Sequence, residues 1–527
     1  MDYKKILSEI EHECEVKFSS VILHHTDEIY IKVEKKYFNG ICLALHKKLN
    51  SPVMMFFASD ETTEEKVFRL YCVFESTICR KWFFVVSDIS EDIPEYKSLS
   101  KEIFSAALFE REMKEMFGLI PTDSPDTRRM RLHDEVWYEG NYPMRKKFTE
   151  NNIKKSVFKK YVFKKVEGEG IFEVPVGPVH AGIIGPGHFR FSVAGEPIIN
   201  LEIRLGFTHK GTEKLFENKK PEECLKLTES IVGDSPFAHS MAFCNAMEKM
   251  YSITVPVRAQ YIRCIFLELE RMYNHAADIG GIALDVGFSF PSAYASIIKE
   301  KILRLNEKLT GSRYIKNVNI IGGVAKNICE SDSKSIIEYL ENISADFKEL
   351  KDMLLTNVSF LDRVETTGIL KRKTAEDMGI VGLPARASGI QKDLRKDFPC
   401  PYDYVDFKII KQSKGDVLAR INLRIEEFEE SVRMIKQFVK LLKAGEIKGK
   451  SSKESAPDFA LGYVEGWRGP VLYWIKLNAT GLIERCKIVD PSFHNWQGLS
   501  YVVIGSIIPD FPVCNKSFNL SYSGNDL

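Results

Sequence analysis

The sequence predicts an α+β protein: a small N-terminal α/β-sandwich domain followed by a large, mainly helical bundle domain with short β segments. Three observations predict it. β-rich runs cluster in the first part of the chain, apolar residues at helical spacing dominate from about Thr212 onward, and a Lys-, Asn- and Pro-rich stretch with little periodicity runs between about Gly140 and Val166. The boundary is placed at residue 155, giving domains of 1–155 and 156–527.

In the first domain Ile29, Ile31 and Val33 alternate with polar residues, and Pro52 to Ala58, Val67 to Phe74 and Trp82 to Val86 are further β-rich runs, so a sheet is expected. Lys101 to Phe117 sets Ile103, Ala107, Leu108, Met113, Met116 and Phe117 at helical spacing, with Gly118 as the C-cap. The second domain opens with strands expected over Ile171 to Val176, Phe189 to Val193 and Ile198 to Arg204. Helices are expected over Pro236 to Met250, Arg258 to Ile279, Ser292 to Leu309, Ile336 to Phe360 and Val417 to Lys443, with the apolar stripes that a bundle buries. Gly445 to Asp458 reads as a solvated loop, and Leu461 to Gly466 with Val471 to Leu477 as a hairpin.

The chain has 527 residues, more than one core usually supports, and 74 basic against 73 acidic side chains. Near-neutral charge gives no footprint for a nucleic-acid partner. No stretch approaches the roughly 20 apolar residues that cross a bilayer, so a membrane link is expected through partner subunits. Met1 to Glu15 has no apolar signal region, which makes the cytoplasm the default compartment. The 11 cysteines include no CxxC pair and read as free buried thiols. There is no GxGxxG loop after a strand and no cluster-binding cysteine spacing, so any NADH and any iron-sulfur centre belong to partners.

Glu110-Arg111-Glu112-Met113-Lys114-Glu115-Met116-Phe117-Gly118-Leu119, followed by Pro125 to Met130, resembles the signature of the 30-kDa subunit of complex I. On physics alone a charged helix face with i, i+4 pairs is the simpler reading. Tyr142 to Phe148 looks like the segment that closes that domain. The second domain resembles the 49-kDa subunit of complex I and the large subunit of group 4 [NiFe] hydrogenases. The matching blocks include Gly177-Pro178-Val179-His180, Gly187-His188-Phe189-Arg190, Phe237-Ala238-His239-Ser240, Glu268-Leu269-Glu270-Arg271, Leu284-Asp285-Val286-Gly287, Leu383-Pro384-Ala385-Arg386, Glu465-Gly466-Trp467-Arg468-Gly469 and Asp490-Pro491. Both domains on one chain resemble the fused arrangement of formate-hydrogenlyase-type enzymes.

The departures from that family are chemical. A nickel-iron site takes four thiolates from two CxxC motifs. At the four ligand positions this chain has Val232, Ser235, Ser492 and Asn495, so no metal is expected there and no hydrogenase activity. His494, His239, Asp234 and Asp490 offer harder donors for a different ion. In complex I the same region heads a quinone pocket. The resemblance puts His188 on the histidine that meets the quinone and Asp285 on its paired aspartate, both expected as catalytic, with His188, His239 and Arg386 expected to bind the substrate. A lone histidine beside Gly185, Pro186 and Gly187 also reads as a turn residue. The tyrosine completing the family's pocket falls on Gly233. Arg386 and Arg263 either line the cavity or form buried ion pairs, the commoner use of such arginines.

The resemblance implies a peripheral-arm subunit on the cytoplasmic face of the cell membrane. It would pass electrons from an iron-sulfur partner to quinone or another acceptor, coupled to ion translocation. The implied partners are an iron-sulfur small subunit, a ferredoxin-like subunit and integral membrane antiporter-like subunits. No cofactor is expected on this chain itself. The alternatives are a non-catalytic proton-relay or scaffold subunit and a soluble metal-dependent enzyme.

Overall fold

The computed structural model describes residues 2–155, 158–450 and 458–527. Residues 156–157, at the expected domain boundary, and 451–457, in the expected solvated loop, lie outside the described residues.

The N-terminal part contains α1 (Tyr3–Glu13), β1 (Ser20–His24), β2 (Glu28–Lys32), α2 (Lys35–Leu49), β3 (Met55–Asp60), β4 (Val67–Ser76), β5 (Lys81–Ser90), β6 (Glu95–Lys97), α3 (Ala107–Phe117) and β7 (Ile120–Thr122). Five strands form a sheet in the order β1-β2-β5-β4-β3, with β2 and β5 parallel and the other pairs antiparallel. The expected strands are all present. Gly118 ends α3 at φ 72°, and its N–H donates to Lys114 O, the left-handed cap that a residue without Cβ adopts at least cost.

The second part opens with an antiparallel sheet of β8 (Ile171–Val176), β9 (His188–Ala194) and β10 (Ile198–Arg204). There follow α4 (Thr212–Phe216), α5 (Pro221–Thr228), α6 (Pro236–Met250), α7 (Val257–Asp285), α8 (Ser289–Thr310), the short pair β11 (Asn319–Ile320) and β12 (Gly323–Val324), and α9 (Glu330–Leu355). Then come α10 (Val358–Val364), α11 (Arg372–Met378), α12 (Gly382–Ala387), α13 (Leu394–Asp397) and α14 (Val417–Leu441). The chain closes with β13 (Phe459–Glu465), β14 (Pro470–Leu477), β15 (Ile483–Val489), α15 (Pro491–Val502), α16 (Phe511–Phe518) and α17 (Tyr522–Asp526).

Helices α7, α8, α9 and α14 pack into the bundle that the apolar spacing predicts, with Phe347 and Phe428 stacked at 3.7 Å between α9 and α14. Local chemistry sets the helix starts: Pro236 and Pro491 occupy first-turn positions, and Asp416 accepts from Ala419 N at 2.7 Å. The helix expected over Ile336 to Phe360 is two. Asn357 accepts from Phe360 N at 2.8 Å and starts a new helix, so one apolar stripe spans a break. The expected hairpin has a third strand, β15, whose Glu484, Arg485 and Lys487 hide its alternation.

That three-stranded sheet joins the two parts. Leu461, Leu472, Trp474, Val489 and Phe493 belong to the same apolar core as the N-terminal sheet. Trp474 lies 4.9 Å from Phe57, and its indole N–H donates to Tyr30 OH at 3.0 Å. The buried cations of β15 are paired: Lys487 Nζ donates across the seam to Glu112 at 2.5 Å, and Arg485 donates to Glu213 of α4 at 2.8 Å and across the seam to Ala58 O at 3.2 Å. Buried charges of this kind are tolerated because each has a close partner.

Candidate functional site

The N-termini of α6 and α15 meet. His239, on α6, contacts Asp490, the N-cap of α15, with Nε2 and Oδ2 at 3.2 Å. Asp490 also accepts from Ser492 N at 2.8 Å, and Tyr473 OH lies 2.9 Å from His239 Nδ1. A carboxylate only accepts, so Nε2 carries the proton towards Asp490 and Nδ1 accepts from the tyrosine. Burial works to raise the Asp490 carboxyl, but His239 and Arg468 hold it below the usual range.

The four positions expected to have lost metal ligands lie around this junction, and their polar atoms are committed to the fold. Ser235 Oγ accepts from Trp467 Nε1 at 2.9 Å and donates to Asp234 Oδ1 at 2.9 Å. Ser492 Oγ accepts from Ser521 N at 2.9 Å. Asn495 clasps the backbone of Val381, accepting from its N–H at 3.0 Å and donating to its carbonyl at 3.1 Å. Val232 is buried and carries no donor atom. Hard oxygens already engaged, an amide and a hydrocarbon do not fit a nickel-iron centre, which needs soft sulfur. The harder site drawn from His494, His239, Asp234 and Asp490 does not assemble either. His494 Nε2 donates to Met54 O at 3.1 Å, with burial lowering its pKa to about 4, and Asp234 is taken by both Arg468 Nη atoms, at 2.6 and 2.8 Å.

His188 stands at the start of β9, partly exposed, with Nδ1 3.3 Å from Gly177 O. That bond fixes the proton on Nδ1 in the neutral ring and leaves Nε2 as a lone pair; Nε2 is buried without a hydrogen-bond partner. Burial lowers the imidazole pKa, opposed by the Gly177 bond and reinforced by Arg190 and Arg204. The loop before it, between β8 and β9, exposes Val179 by 86% and Ile183 by 92%, an apolar tip that the described residues leave uncovered. Asp285 lies at the end of α7, where its charged neighbour is Lys516 of α16. Among the described residues no hydrogen bond or ion pair joins His188 to Asp285, so the pair expected from sequence is not made within this chain. Gly233, on which the resemblance places the pocket tyrosine, has no described atom within 4 Å of where a Cβ would stand.

Arg386 is not a lining residue. It is fully buried, with Nε donating to Glu427 at 2.9 Å and Nη1 to Glu465 at 2.8 Å. Glu427 also accepts from His275 Nε2 at 2.9 Å. Arg271 Nε donates to Glu268 Oε2 at 3.1 Å, and Glu268 in turn accepts from Arg395 at 3.0 Å, Tyr402 at 2.6 Å and Ser431 at 2.6 Å. Arg395 also holds Asp393 at 2.7 Å. Three arginines thus face four carboxylates, Asp393, Glu268, Glu427 and Glu465. The surplus falls on Glu465: burial first, then Asp393, push its carboxyl up to about 7. Arg263 makes a separate buried pair with Glu248 at 2.6 and 3.0 Å. No motif pointed to the whole network; only the charged positions inside apolar helical stripes hinted at it.

Two cavities flank this network. One of about 320 Å³ lies between the domains, with Glu75, Lys392, Asp393 and Glu465 in its wall; the other, of about 800 Å³, is lined by Arg263, Lys249, Tyr402 and again Glu465. Neither is lined by His188 or Asp285.

A small sheet domain fused to a long-helix bundle, with the N-termini of α6 and α15 meeting beside it, is the architecture expected of the large subunits of redox complexes. The comparisons agree. A family model for the 30 Kd subunit of respiratory-chain NADH dehydrogenase matches residues 31–153, and one for its 49 Kd subunit matches residues 285–461. Formate hydrogenlyase subunit 5 of Escherichia coli is 30% identical over 522 residues, covering 97% of this chain and 91% of that protein. An NADH-quinone oxidoreductase subunit of Clostridium beijerinckii is 34% identical over 337 residues, covering 63% of this chain and 91% of that protein. Among solved structures, a chain of the archaeal membrane-bound sulfane sulfur reductase superposes with a TM-score of 0.64 at 25% identity, covering 68% of this chain and 99% of that one. The chain belongs to the family of the complex I 49-kDa subunit and hydrogenase-related large subunits, and it carries a region of the 30-kDa type on the same polypeptide.

Proposed function

We propose that this chain is the acceptor-side peripheral subunit of a membrane-bound, complex-I-like redox complex and not a nickel-iron hydrogenase. Electrons arrive from iron-sulfur centres in a partner subunit and reduce a quinone beside His188, while antiporter-like membrane subunits use the accompanying charge changes to move ions. A ferredoxin-like subunit completes the electron path. No helix of the described residues is long and apolar enough to cross a membrane; in this reading the chain attaches through its partners, at the cytoplasmic face.

The observation that carries the reading is a contrast within one region. Of the four positions where ligands were expected to be lost, Ser235, Ser492 and Asn495 are spent on structural hydrogen bonds and Val232 offers no donor, whereas His188 Nε2, next to a loop with an exposed apolar tip, is left without a hydrogen-bond partner. Reducing a quinone to the quinol takes two electrons and two protons. A neutral His188 with a bare Nε2 takes up one proton and hands it to one reduced oxygen, the second proton reaching the other oxygen from solvent; imidazole is the side chain suited to this near neutral pH.

The test is acceptor-dependent turnover of the native complex with His188→Ala and His188→Gln. A loss of at least tenfold in kcat with assembly intact supports a site at His188; unchanged turnover overturns it. Sulfane sulfur compounds serve as a second acceptor class, because the solved relative reduces them. The second reading, a subunit that relays charge without handling electrons, draws on the buried network through Glu465 and Arg386. It takes over if no acceptor is reduced while Glu465→Gln uncouples ion movement.

A further inference from the structure

We propose that His24, His25 and Asp458 form a divalent-cation site, suited to zinc, that clamps the N-terminal sheet to strand β13. Among the described residues these three bring their ligand atoms within 4.8 Å of one another. They come from two places more than four hundred residues apart: the end of β1 with the turn after it, and the residue that leads into β13.

The backbone explains the convergence. Successive side chains on a strand point to opposite faces. His25 has φ 49°, a left-handed conformation just after the strand ends, which turns its side chain back to the side of His24. The two rings sit with centroids 4.1 Å apart, and both Nε2 atoms converge on one point. His24 Nε2 lies 2.9 Å from Asp458 Oδ1 and 2.9 Å from Phe459 O; His25 Nε2 lies 3.1 Å from Phe459 O and 3.9 Å from Asp458 Oδ1. Two imidazole nitrogens, a carboxylate oxygen and a backbone carbonyl therefore form a compact set of four donors.

The spacing is that of ligands around an ion. In a tetrahedral site with bonds of about 2.0–2.1 Å, neighbouring ligand atoms stand about 3.3 Å apart. The four measured separations straddle that value. Two histidines and a carboxylate are the donor types that zinc accepts, and they are too few oxygens for calcium or magnesium. The side chains are shielded, His24 by 77%, His25 by 83% and Asp458 by 91%, through Phe459, which stacks on His24 at 4.3 Å, and Tyr30. Lys249, the cation among the described residues that acts on His25, is neutralised by Asp27 at 2.7 Å and Glu28 at 3.1 Å, so it does not oppose a bound ion at full strength. The site is separate from the His188 region, and its role is to tie two domains rather than to handle electrons.

The test uses the complete chain in its native complex. Zinc is counted per chain after dialysis, and cobalt(II) replaces it to report coordination by its visible ligand-field spectrum. The expected result is one zinc per chain, a four-coordinate cobalt spectrum, and loss of both in His24→Ala and Asp458→Asn with acceptor reduction unchanged. His25→Cys, which keeps a ligand atom, retains the metal and shifts the cobalt bands towards thiolate charge transfer. If the alanine variant fails to fold, the wild-type cobalt spectrum decides. A wild type without bound zinc and without a cobalt spectrum overturns the proposal. So does equal zinc in wild type and both ligand-removal variants, which marks an adventitious ion only.

Discussion

Replacing Arg386 with methionine removes one cation from the centre of the buried network at nearly constant volume. Glu427 keeps His275, and Glu465 keeps only Leu394 N at 3.2 Å. Breaking a buried pair by removing one partner costs about 3–5 kcal/mol, because an uncompensated carboxylate stays in the core. The size depends on pH. The folded-state pKa of Glu465, about 7, lies above its unfolded value, so the stability linked to its proton is complete below the unfolded pKa and is lost as pH rises through the folded one. Without Arg386 that folded pKa climbs further. The loss caused by Arg386→Met is therefore smaller near pH 6 than near pH 8.5. Urea unfolding followed by the fluorescence of Trp467, 6.2 Å from His275, reads the network directly. The double variant Arg386→Met with Glu465→Gln should recover at least about half of the single-variant loss, since the orphaned carboxylate goes with its partner. A single-variant loss under about 1 kcal/mol, or a double loss equal to the sum of the two singles, would refute the assignment of a coupled buried network.

Three further outcomes are expected. Glu270 accepts from Phe237 N and Ala238 N at the start of α6, and burial pushes its carboxyl up to about 8, so it folds as the neutral acid. Glu270→Gln should thus match wild type at low pH and gain relative stability as pH rises through about 8, whereas Glu270→Ala strands two N–H groups and loses about 1–3 kcal/mol at every pH; thermal unfolding across a pH series separates them. Gly382 has φ 63°, and an ideal Cβ would stand 2.0 Å from Arg468 O, so Gly382→Ala should cost about 2 kcal/mol or more and loosen the α12 seam in hydrogen exchange. Asn495→Leu keeps the volume but removes both bonds to Val381, and a loss of about 1–3 kcal/mol is expected with acceptor turnover retained, measured by chemical denaturation beside activity of the complex.

The fold was legible where one physical signal acts alone. The strands of the first domain follow their alternation, and α6, whose first turn is marked by Pro236, begins and ends where the spacing sets it. Legibility failed where tertiary pairing overrides local pattern. β15 was not expected: its Glu484, Arg485 and Lys487 break the apolar alternation, and Glu112 and Glu213 neutralise the two cations only in the folded chain. At the positions where the resemblance places lost thiolates, the sequence shows Ser235 and Asn495 in place of cysteine, and the structure adds the bonds those side chains make. The expected partnership of His188 with Asp285 was not deducible, because it depends on where β9 and the end of α7 sit in space. Arg386 was placed among lining residues or ion pairs, and the structure decides for the second. The His24, His25 and Asp458 cluster spans both domains, so no spacing along the chain could announce it.

The central claim is that acceptor chemistry has moved from the lost metal site to the His188 loop. The most direct test is photolabelling of the detergent-purified native complex with an azido-quinone, followed by peptide mapping and a His188→Ala control. Labelling within the β8–β9 loop or beside His188, abolished by competing quinone and weakened in the variant, is the expected result. Specific labelling elsewhere in the complex, with none near His188, would contradict it.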